Sequence, residues 1–220
     1  MKQEKTKLNY SRLFWLFIIG SLIGVVIEGL FCAIRYGRWE THVVSVWGPF
    51  CILYGFGAAG CYIGHYYLHD KSLFIQFITY SFVGFIIELI CGLLLEFGLG
   101  MRAWDYTKQY LNIRGHVSLQ MSLGWGVIGI LFSYIVPYIN GCFEYTERKN
   151  YKLITILCSL FMCFNLLTTG FAMARYSSRH YNKEAHNKFE LMLDSKYDDN
   201  YMRNRFMEWR FLDEICDKYD

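Results

Sequence analysis

The sequence predicts an all-α, polytopic helical membrane protein with about five transmembrane helices, and three observations lead to that class. Hydrophobic residues make up 54% of the 220 positions and charged residues only 19%, which is not the composition of a soluble domain. The charge is also partitioned, because residues 13–174 carry 17 charged side chains in 162 positions whereas the other 58 positions carry 24. Finally, apolar runs of about 20 residues recur along the middle. Intrinsic disorder and nucleic-acid binding fit poorly, given this apolar content and a net charge of +3.

Five segments are long and apolar enough to cross a bilayer, and they divide the chain into a transmembrane domain (1–174) and a soluble charged helical tail (175–220). The first span follows a basic stretch but lacks a small-residue cleavage site, so we expect it to be retained. In the tail, apolar residues spaced by threes predict one amphipathic helix. The five spans are Leu13 to Ile34, Phe50 to Leu68, Leu73 to Leu95, Met121 to Ile139 and Leu153 to Met173, and the tail stripe is Phe206, Trp209, Leu212 and Ile215.

Lysine and arginine near the span ends should mark the cytoplasmic side of a cell membrane, but here they do not decide the orientation. With the N-terminus inside, the two sides hold eight and nine basic residues. Both termini resemble cytoplasmic segments, which an odd number of spans forbids. We therefore expect one end to break the rule or one segment to be re-entrant, either at Trp47-Gly48-Pro49 or between Gly115 and Gly126.

The first four spans carry an internal duplication, over about residues 13–68 and 73–139. Spans one and three share the pattern S-x-x-G-x-x-I-E, ending at Glu28 and Glu88. In each copy a tryptophan-acid pair follows, then a histidine-valine pair, then a tryptophan-glycine pair that we expect to open the next span. A unit with an even number of spans repeats in parallel, so both long loops are predicted on one side. The later pairs are Trp39-Glu40, His42-Val43 and Trp47-Gly48, and Trp104-Asp105, His116-Val117 and Trp125-Gly126.

Two glutamates inside apolar spans are the leading candidates for a functional site. Serine, glycine and glutamate at i, i+3 and i+7 share a helix face, so Glu28 and Glu88 should face protein rather than lipid. Because an intramembrane charge costs about 3 kcal/mol unless it is partnered, we expect the pair to form a cation, proton or polar-substrate site. The alternative is that both only fix helix packing through hydrogen bonds. Glu96, at the end of span three, is expected to be interfacial.

The remaining polar residues give weaker indications. His42 and His116 could act as bases, but with one histidine per loop and no second ligand at helical spacing we expect no metal and no cofactor. No motif indicates a catalytic nucleophile. Asn165, Thr168 and Thr169 are interpreted as contacts between helices. The aromatic residues near the span ends most simply form interfacial belts, namely Trp39, Trp47, Trp104 and Trp125 with Tyr54, Tyr106 and Tyr110. Six of the eight cysteines lie in apolar runs as structural thiols, namely Cys32, Cys51, Cys61, Cys91, Cys158 and Cys163.

Two groups of residues in the predicted long loops and their flanks form a recognisable pattern. The first is Gly48-Pro49-Phe50-Cys51 with Tyr54-Gly55-Phe56-Gly57, and the second is Leu95-Glu96, Trp104-Asp105-Tyr106, Asn112, Gly115, Leu119, Ser122 and Trp125-Gly126. Together they resemble the bacterial putative ABC-transporter type IV (CmpB-like) membrane family over about residues 14–175, although Thr41-His42-Val43-Val44 replaces the family's usual N-R-G-F. The resemblance implies an integral membrane protein of permease type, without a defined substrate.

The sequence thus favours a small permease-like protein whose polar cavity holds a small substrate or ion. The chain has no P-loop, so any ATPase would be a separate subunit; membrane lipids and a second copy of the chain are further partners left open. Two alternatives are a membrane-embedded enzyme acting on a lipid headgroup and a non-catalytic scaffold or sensor, and an enzyme is the less expected. The expected cavity residues are Glu28, Glu88, Glu96, Trp104, Asp105, Asn112, His116 and His42.

Overall fold

The computed structural model describes residues 7–39, 42–146 and 149–216. In this part of the chain, helices account for nearly all regular structure, as predicted, and the only strands are a two-residue antiparallel pair. In chain order the elements are α1 (Tyr10–Tyr36), α2 (Ile52–Leu68), α3 (Leu73–Leu99), β1 (Met101–Arg102), α4 (Leu119–Thr146), α5 (Lys149–His180), α6 (Lys188–Lys196), α7 (Asp199–Arg205), β2 (Arg210–Phe211) and α8 (Leu212–Cys216).

Four of these helices, α1, α3, α4 and α5, are long and apolar enough to cross a membrane. The predicted second span corresponds to α2, which has only 17 residues. At 1.5 Å per residue such a helix rises about 25 Å, less than the roughly 30 Å of a bilayer core. The predicted number of five spans is therefore approximate. Helix α2 begins at Ile52 and not at the predicted Phe50, because residues 49–51 are not helical.

Helices α1 and α2 form one antiparallel hairpin, and α3 and α4 form another. In the first hairpin Ser21 lies against Gly55, and a Cβ on Gly24 would overlap the ring of Tyr54. The face that carries serine, glycine and glutamate thus turns toward the partner helix, as the spacing predicts. Because Gly24 has no side chain, the aromatic ring of α2 can reach the level of Glu28.

The second hairpin has the same contacts. Ser81 lies against Gly126, and a Cβ on Gly84 would overlap the ring of Trp125. By these contacts, Trp125-Gly126 corresponds to Tyr54-Gly55 and not to Trp47-Gly48. The predicted tryptophan-glycine pairing is therefore wrong: Trp47 precedes α2 in a loop, while Trp125 lies inside α4.

The two ends of the helical bundle are distinct. At one end, the N-terminal parts of α1 and α5 are in contact. There the Trp15 indole donates a hydrogen bond of 2.9 Å to Thr155 Oγ1. Arg12 and Tyr62 also lie at this end, where the Arg12 guanidinium donates to the tyrosine hydroxyl at 3.1 Å. Since α1 and α5 run in the same direction, the start of α1 and the end of α5 lie at opposite ends of the bundle.

The loop between α1 and α2 (residues 37–51, the first loop) packs against the side of α5. The Val46 backbone N–H donates to Thr169 Oγ1 at 2.9 Å, and the Trp47 N–H donates to Asn165 Oδ1 at 3.2 Å. Asn165 Nδ2 donates in return to the Trp47 carbonyl at 2.8 Å. Asn165 and Thr169 therefore hold backbone rather than a neighbouring helix. At the other predicted re-entrant position, between Gly115 and Gly126, α4 runs without a break from Leu119.

The C-terminal segment (residues 181–216) folds back onto both long loops. It shares a buried apolar cluster with the end of α5, with Val46 of the first loop and with Met101 of β1. Its predicted single amphipathic helix is wrong, because the chain turns at Phe206 and α7, β2 and α8 are separate elements. The residues of this segment that belong to the cluster are Leu193, Tyr197, Met202, Phe206 and Phe211.

An ion pair fastens the C-terminal segment to α5. The Arg175 guanidinium donates to both carboxylate oxygens of Asp194, at 3.0 and 2.7 Å. These hydrogen bonds from Arg175 hold the pKa of Asp194 below its ordinary value. Bidentate arginine–carboxylate pairs combine strength with a fixed orientation. The segment is thus positioned over the loops at one end of the bundle.

Candidate functional site

The first loop returns along the face of α1 that carries Glu28. Helix α1 ends at Gly37, whose left-handed backbone (φ 68°) reverses the chain. Trp39 then packs on Gly29, where a Cβ would overlap the indole ring. His42, which also has a positive φ of 42°, follows this reversal. Its Nε2 lies 3.3 Å from Cys32 Sγ on α1.

Glu28 lies one helical turn before Cys32, so both side chains point to the same face of α1. One oxygen of the Glu28 carboxylate accepts a 2.5 Å hydrogen bond from the Tyr54 hydroxyl of α2. Ligand atoms of Glu28, Cys32 and His42 all lie within 4.8 Å of one another. This group was not predicted from the sequence, although the i, i+4 spacing of Glu28 and Cys32 was a usable signal. Glu40, the acid of the predicted loop pair, lies outside the described residues.

Glu88 occupies the corresponding position on α3 and is more deeply buried, with 2% of its surface exposed. The side chains of Trp125 and Tyr106 lie within hydrogen-bonding reach of its carboxylate. Its second oxygen, Oε2, has no hydrogen-bond partner in the part of the chain that the structure describes. An unpartnered carboxylate oxygen in a buried site is costly, which makes it the strongest sign of a site for a cation, a proton or a donor group.

Tyr106 of the second loop lies beside Glu88 and within the electrostatic influence of Glu28. Burial raises the pKa of Tyr106, and the negative charges of Glu88 and then of Glu28 raise it further. On the helical side, the rings of Tyr54 and Trp125 lie 6.4 Å apart between centroids. Each hairpin thus contributes one carboxylate and one aromatic ring to the same region. We call these five residues, Glu28, Tyr54, Glu88, Tyr106 and Trp125, the central site.

Glu96 lies about two helical turns after Glu88 on α3 and belongs to a separate ionic cluster. Arg102 Nη2 lies 2.9 Å from one carboxylate oxygen and His116 Nε2 lies 2.9 Å from the same oxygen. Arg114 contacts the other oxygen. Burial lowers the pKa of His116, and although Glu96 opposes this shift, Arg102 and Arg114 reinforce it. His116 is therefore neutral at pH 7, and the cluster is a buried carboxylate held by two arginines.

The residues between α3 and α4 (residues 100–118, the second loop) hold one another in place. The Trp104 indole donates to the His116 carbonyl at 2.7 Å. Asp105 accepts from the Thr107 backbone N–H at 2.9 Å, and Asn112 accepts from the Gly115 N–H at 3.1 Å. Trp104, Asp105 and Asn112, expected to line a cavity, thus shape the loop, and none of them makes a described contact with Glu28 or Glu88. Trp104 and Trp125 are both half-buried, and their predicted position at the membrane interface stays a prediction.

Three residues of the C-terminal segment also contact the first loop, and the sequence analysis missed all of them. The Tyr201 hydroxyl donates to the Val46 carbonyl at 2.8 Å, and Arg205 Nε donates to the Ser45 carbonyl at 2.8 Å. The Glu208 carboxylate accepts from the His42 backbone N–H at 3.2 Å. No sequence signal could have found them, because the pairs are more than 150 residues apart. They hold the first loop, and with it His42, over the face of α1.

Comparison with known proteins gives a family but no close relative. The family model described as Putative ABC-transporter type IV matches residues 15–170. No curated protein and no solved structure matches the chain. The matched range covers both hairpins, the two loops and most of α5, and so includes every residue of the central site. The chain therefore belongs to the Putative ABC-transporter type IV family.

Proposed function

We propose that this protein is the multi-pass, permease-like component of a transport system in the cell membrane, and that the central site binds the transported cation or proton. The observation that carries the proposal is that Glu28, bonded to Tyr54, and Glu88, beside Trp125, meet where the rings of Tyr54 and Trp125 lie 6.4 Å apart. Acids at such depth are rare and usually belong to ion or proton pathways. Their position near the loop end of the bundle provides a route from one side.

The hydrogen bonds of the two carboxylates support a site for a positive charge. Tyr54 satisfies one oxygen of Glu28, while Oε2 of Glu88 has no partner among the described residues. A proton or a cation at Glu88 would remove the cost of leaving that oxygen unpartnered. The Tyr106 side chain lies within hydrogen-bonding reach of Glu88, and the charge of Glu28 also acts on it.

We further propose that the two hairpins are copies of one ancestral unit. Ser21 with Gly55 and Ser81 with Gly126 are equivalent contacts, as are those of Gly24 and Gly84 with aromatic rings. Transporters built from repeats commonly bind their substrate where the repeats meet. The central site lies at that place, because it takes one carboxylate and one ring from each hairpin.

A lipid-modifying enzyme is less well supported than a transporter. Its acid and base groups would be Asp105, His116 and the two glutamates Glu28 and Glu88. Asp105 is engaged with Thr107 and Arg102, and His116 lies against Glu96, so only the glutamates remain for that chemistry. The family description instead favours a separate ATPase partner. Affinity purification in mild detergent tests this part of the proposal, since an ATPase subunit should copurify.

The test of the central site uses membrane vesicles of the native host, in which any partner subunit is present. Proton uptake is followed with a pH-sensitive dye, and cation uptake with radiolabelled ions. We expect Glu28→Gln and Glu88→Gln each to abolish most of the flux while the protein keeps its size-exclusion profile. Glu184→Gln, the same change at an exposed acid, serves as the control. Flux that is equal in the wild type and in both variants would contradict the proposal.

A further inference from the structure

We propose that Glu28, Cys32 and His42 form a binding site for a divalent transition metal ion of the zinc class. The inference rests on the proposed function only in that it names an ion class for the Glu28 side of the central site. Metal binding itself is measured without transport, so that the two proposals can fail separately. Cys32 is buried, and Glu28 and His42 are half-buried.

The distances fit a tetrahedral ion. With a metal–sulfur bond of about 2.3 Å and a metal–nitrogen bond of about 2.0 Å, the sulfur and nitrogen of a tetrahedral site lie roughly 3.5 Å apart. Cys32 Sγ and His42 Nε2 are 3.3 Å apart. All three ligand atoms lie within 4.8 Å of one another. Small side-chain rotations would therefore bring them into coordination without moving the backbone.

The chemistry of the three ligands selects the ion. Thiolate and imidazole favour zinc-class ions over magnesium and calcium, which prefer oxygen ligands. A thiolate and a carboxylate balance the charge of a divalent ion, so the loaded site would be neutral in its apolar surroundings. Three protein ligands leave a fourth coordination position open, as in sites where a metal exchanges or reacts.

Neighbouring residues already orient the ligands, as outer-shell groups do in metal sites. The Tyr54 hydroxyl donates to one oxygen of Glu28, which leaves the other oxygen for the metal. Glu208 accepts from the backbone N–H of His42 and fixes the loop from outside. Gly37 and Trp39 bring the loop back over α1, so the position of His42 follows from the local fold.

The second hairpin provides an internal comparison. There the histidine of the loop, His116, packs on Gly92, which lies four residues after Glu88. Gly92 thus has the position after Glu88 that Cys32 has after Glu28, so the second hairpin carries no thiol at that position. His116 instead contacts Glu96. The metal site is therefore specific to the first hairpin, and variants of the second hairpin can serve as matched controls.

The test titrates the purified full-length protein in detergent with Co²⁺, whose thiolate charge-transfer band and tetrahedral d–d bands report a bound sulfur ligand. We expect about one ion per chain, and Zn²⁺ should displace it. Since loss of an outer-shell partner already weakens binding about 10–100-fold, Cys32→Ser should cost at least about 100-fold and abolish the charge-transfer band. Cys91→Ser, which removes a half-buried thiol from the other hairpin, should leave the Co²⁺ affinity and the charge-transfer band unchanged.

His42→Ala gives a second reading that does not alter a membrane helix, in case Cys32→Ser fails to fold. It should weaken Co²⁺ binding to a similar extent, with the remaining spectrum no longer tetrahedral. A wild-type protein without the thiolate band, or a band that persists in Cys32→Ser, overturns the inference. If Glu88-dependent flux survives that outcome, the proposed function stands alone; metal binding without any flux would support only the metal site.

Discussion

Asn165 provides the most direct test of how the first loop is positioned. Its side chain is fully buried and makes two hydrogen bonds to one residue, accepting from the Trp47 N–H and donating to the Trp47 carbonyl. Replacing it with alanine removes both. The loop backbone would then lose the contact that fixes it against α5.

The expected magnitude follows from the partners that remain. The Trp47 N–H would be left without its acceptor, which costs about 1–3 kcal/mol for a buried group. The Trp47 carbonyl keeps the hydroxyl of Ser45 at 2.9 Å, so its loss is smaller, about 0.5–1.5 kcal/mol. We therefore expect Asn165→Ala to lower the free energy of unfolding by about 1.5–4.5 kcal/mol.

Unfolding in mixed micelles with increasing dodecyl sulfate, followed by circular dichroism, measures this change. Thr168→Ala is the matched control, because Thr168 is a half-buried polar neighbour on the same helix; it should change stability by less than about 0.5 kcal/mol. Asn165→Asp keeps the acceptor but places an oxygen against the Trp47 carbonyl, and should destabilise as much as alanine. Equal stability of Asn165→Ala and Thr168→Ala would refute the reasoning.

Two further predictions concern helix packing and pH. Gly84→Ala should lower stability by about 1–3 kcal/mol, because its Cβ would overlap the Trp125 ring; Gly98→Ala, where the space is open, should be neutral or stabilising in the same unfolding assay. His116 has a pKa below its ordinary value of 6.5, so the unfolded chain binds more protons. The free energy of unfolding should therefore have its full value above pH 6.5 and decrease below that pH. His116→Gln should reduce this pH dependence in melting curves recorded between pH 7.5 and about 5. An unchanged pH dependence would show that another group titrates.

The long helices could be predicted because composition and length decide them. Residues such as Ser21 and Glu28 also fell on the predicted face, since helical periodicity fixes which side chains share a surface. The start of α2 could not be predicted from hydropathy, because Phe50 and Cys51 are apolar but extended. The tail stripe failed for a similar reason: spacing by threes across Phe206 and Trp209 suits a helix, but packing against the loops favours a turn.

The candidate site was predicted only in part. Glu28 and Glu88 stood out because acids are rare in apolar spans, but nothing local indicated that Tyr106 would lie beside Glu88. The approach of His42 to Cys32 depends on the reversal at Gly37 and on Glu208, which is 166 residues away from His42. Conversely, Trp104, Asp105 and Asn112 formed a conspicuous motif because the second loop needs them for its own hydrogen bonds. A motif can therefore record the requirements of a fold rather than those of a ligand.

The docking of the C-terminal segment onto the first loop also sets an order of events during biosynthesis. Residues 42–48 leave the ribosome long before Tyr201, Arg205 and Glu208, which contact them. Domains fold as the chain is made, from the N-terminus onward, so both hairpins can enter the membrane and pair before that end of the bundle is covered. During this interval the first loop, and His42 with it, lacks the contacts that later hold it over the face of α1 that carries Glu28 and Cys32.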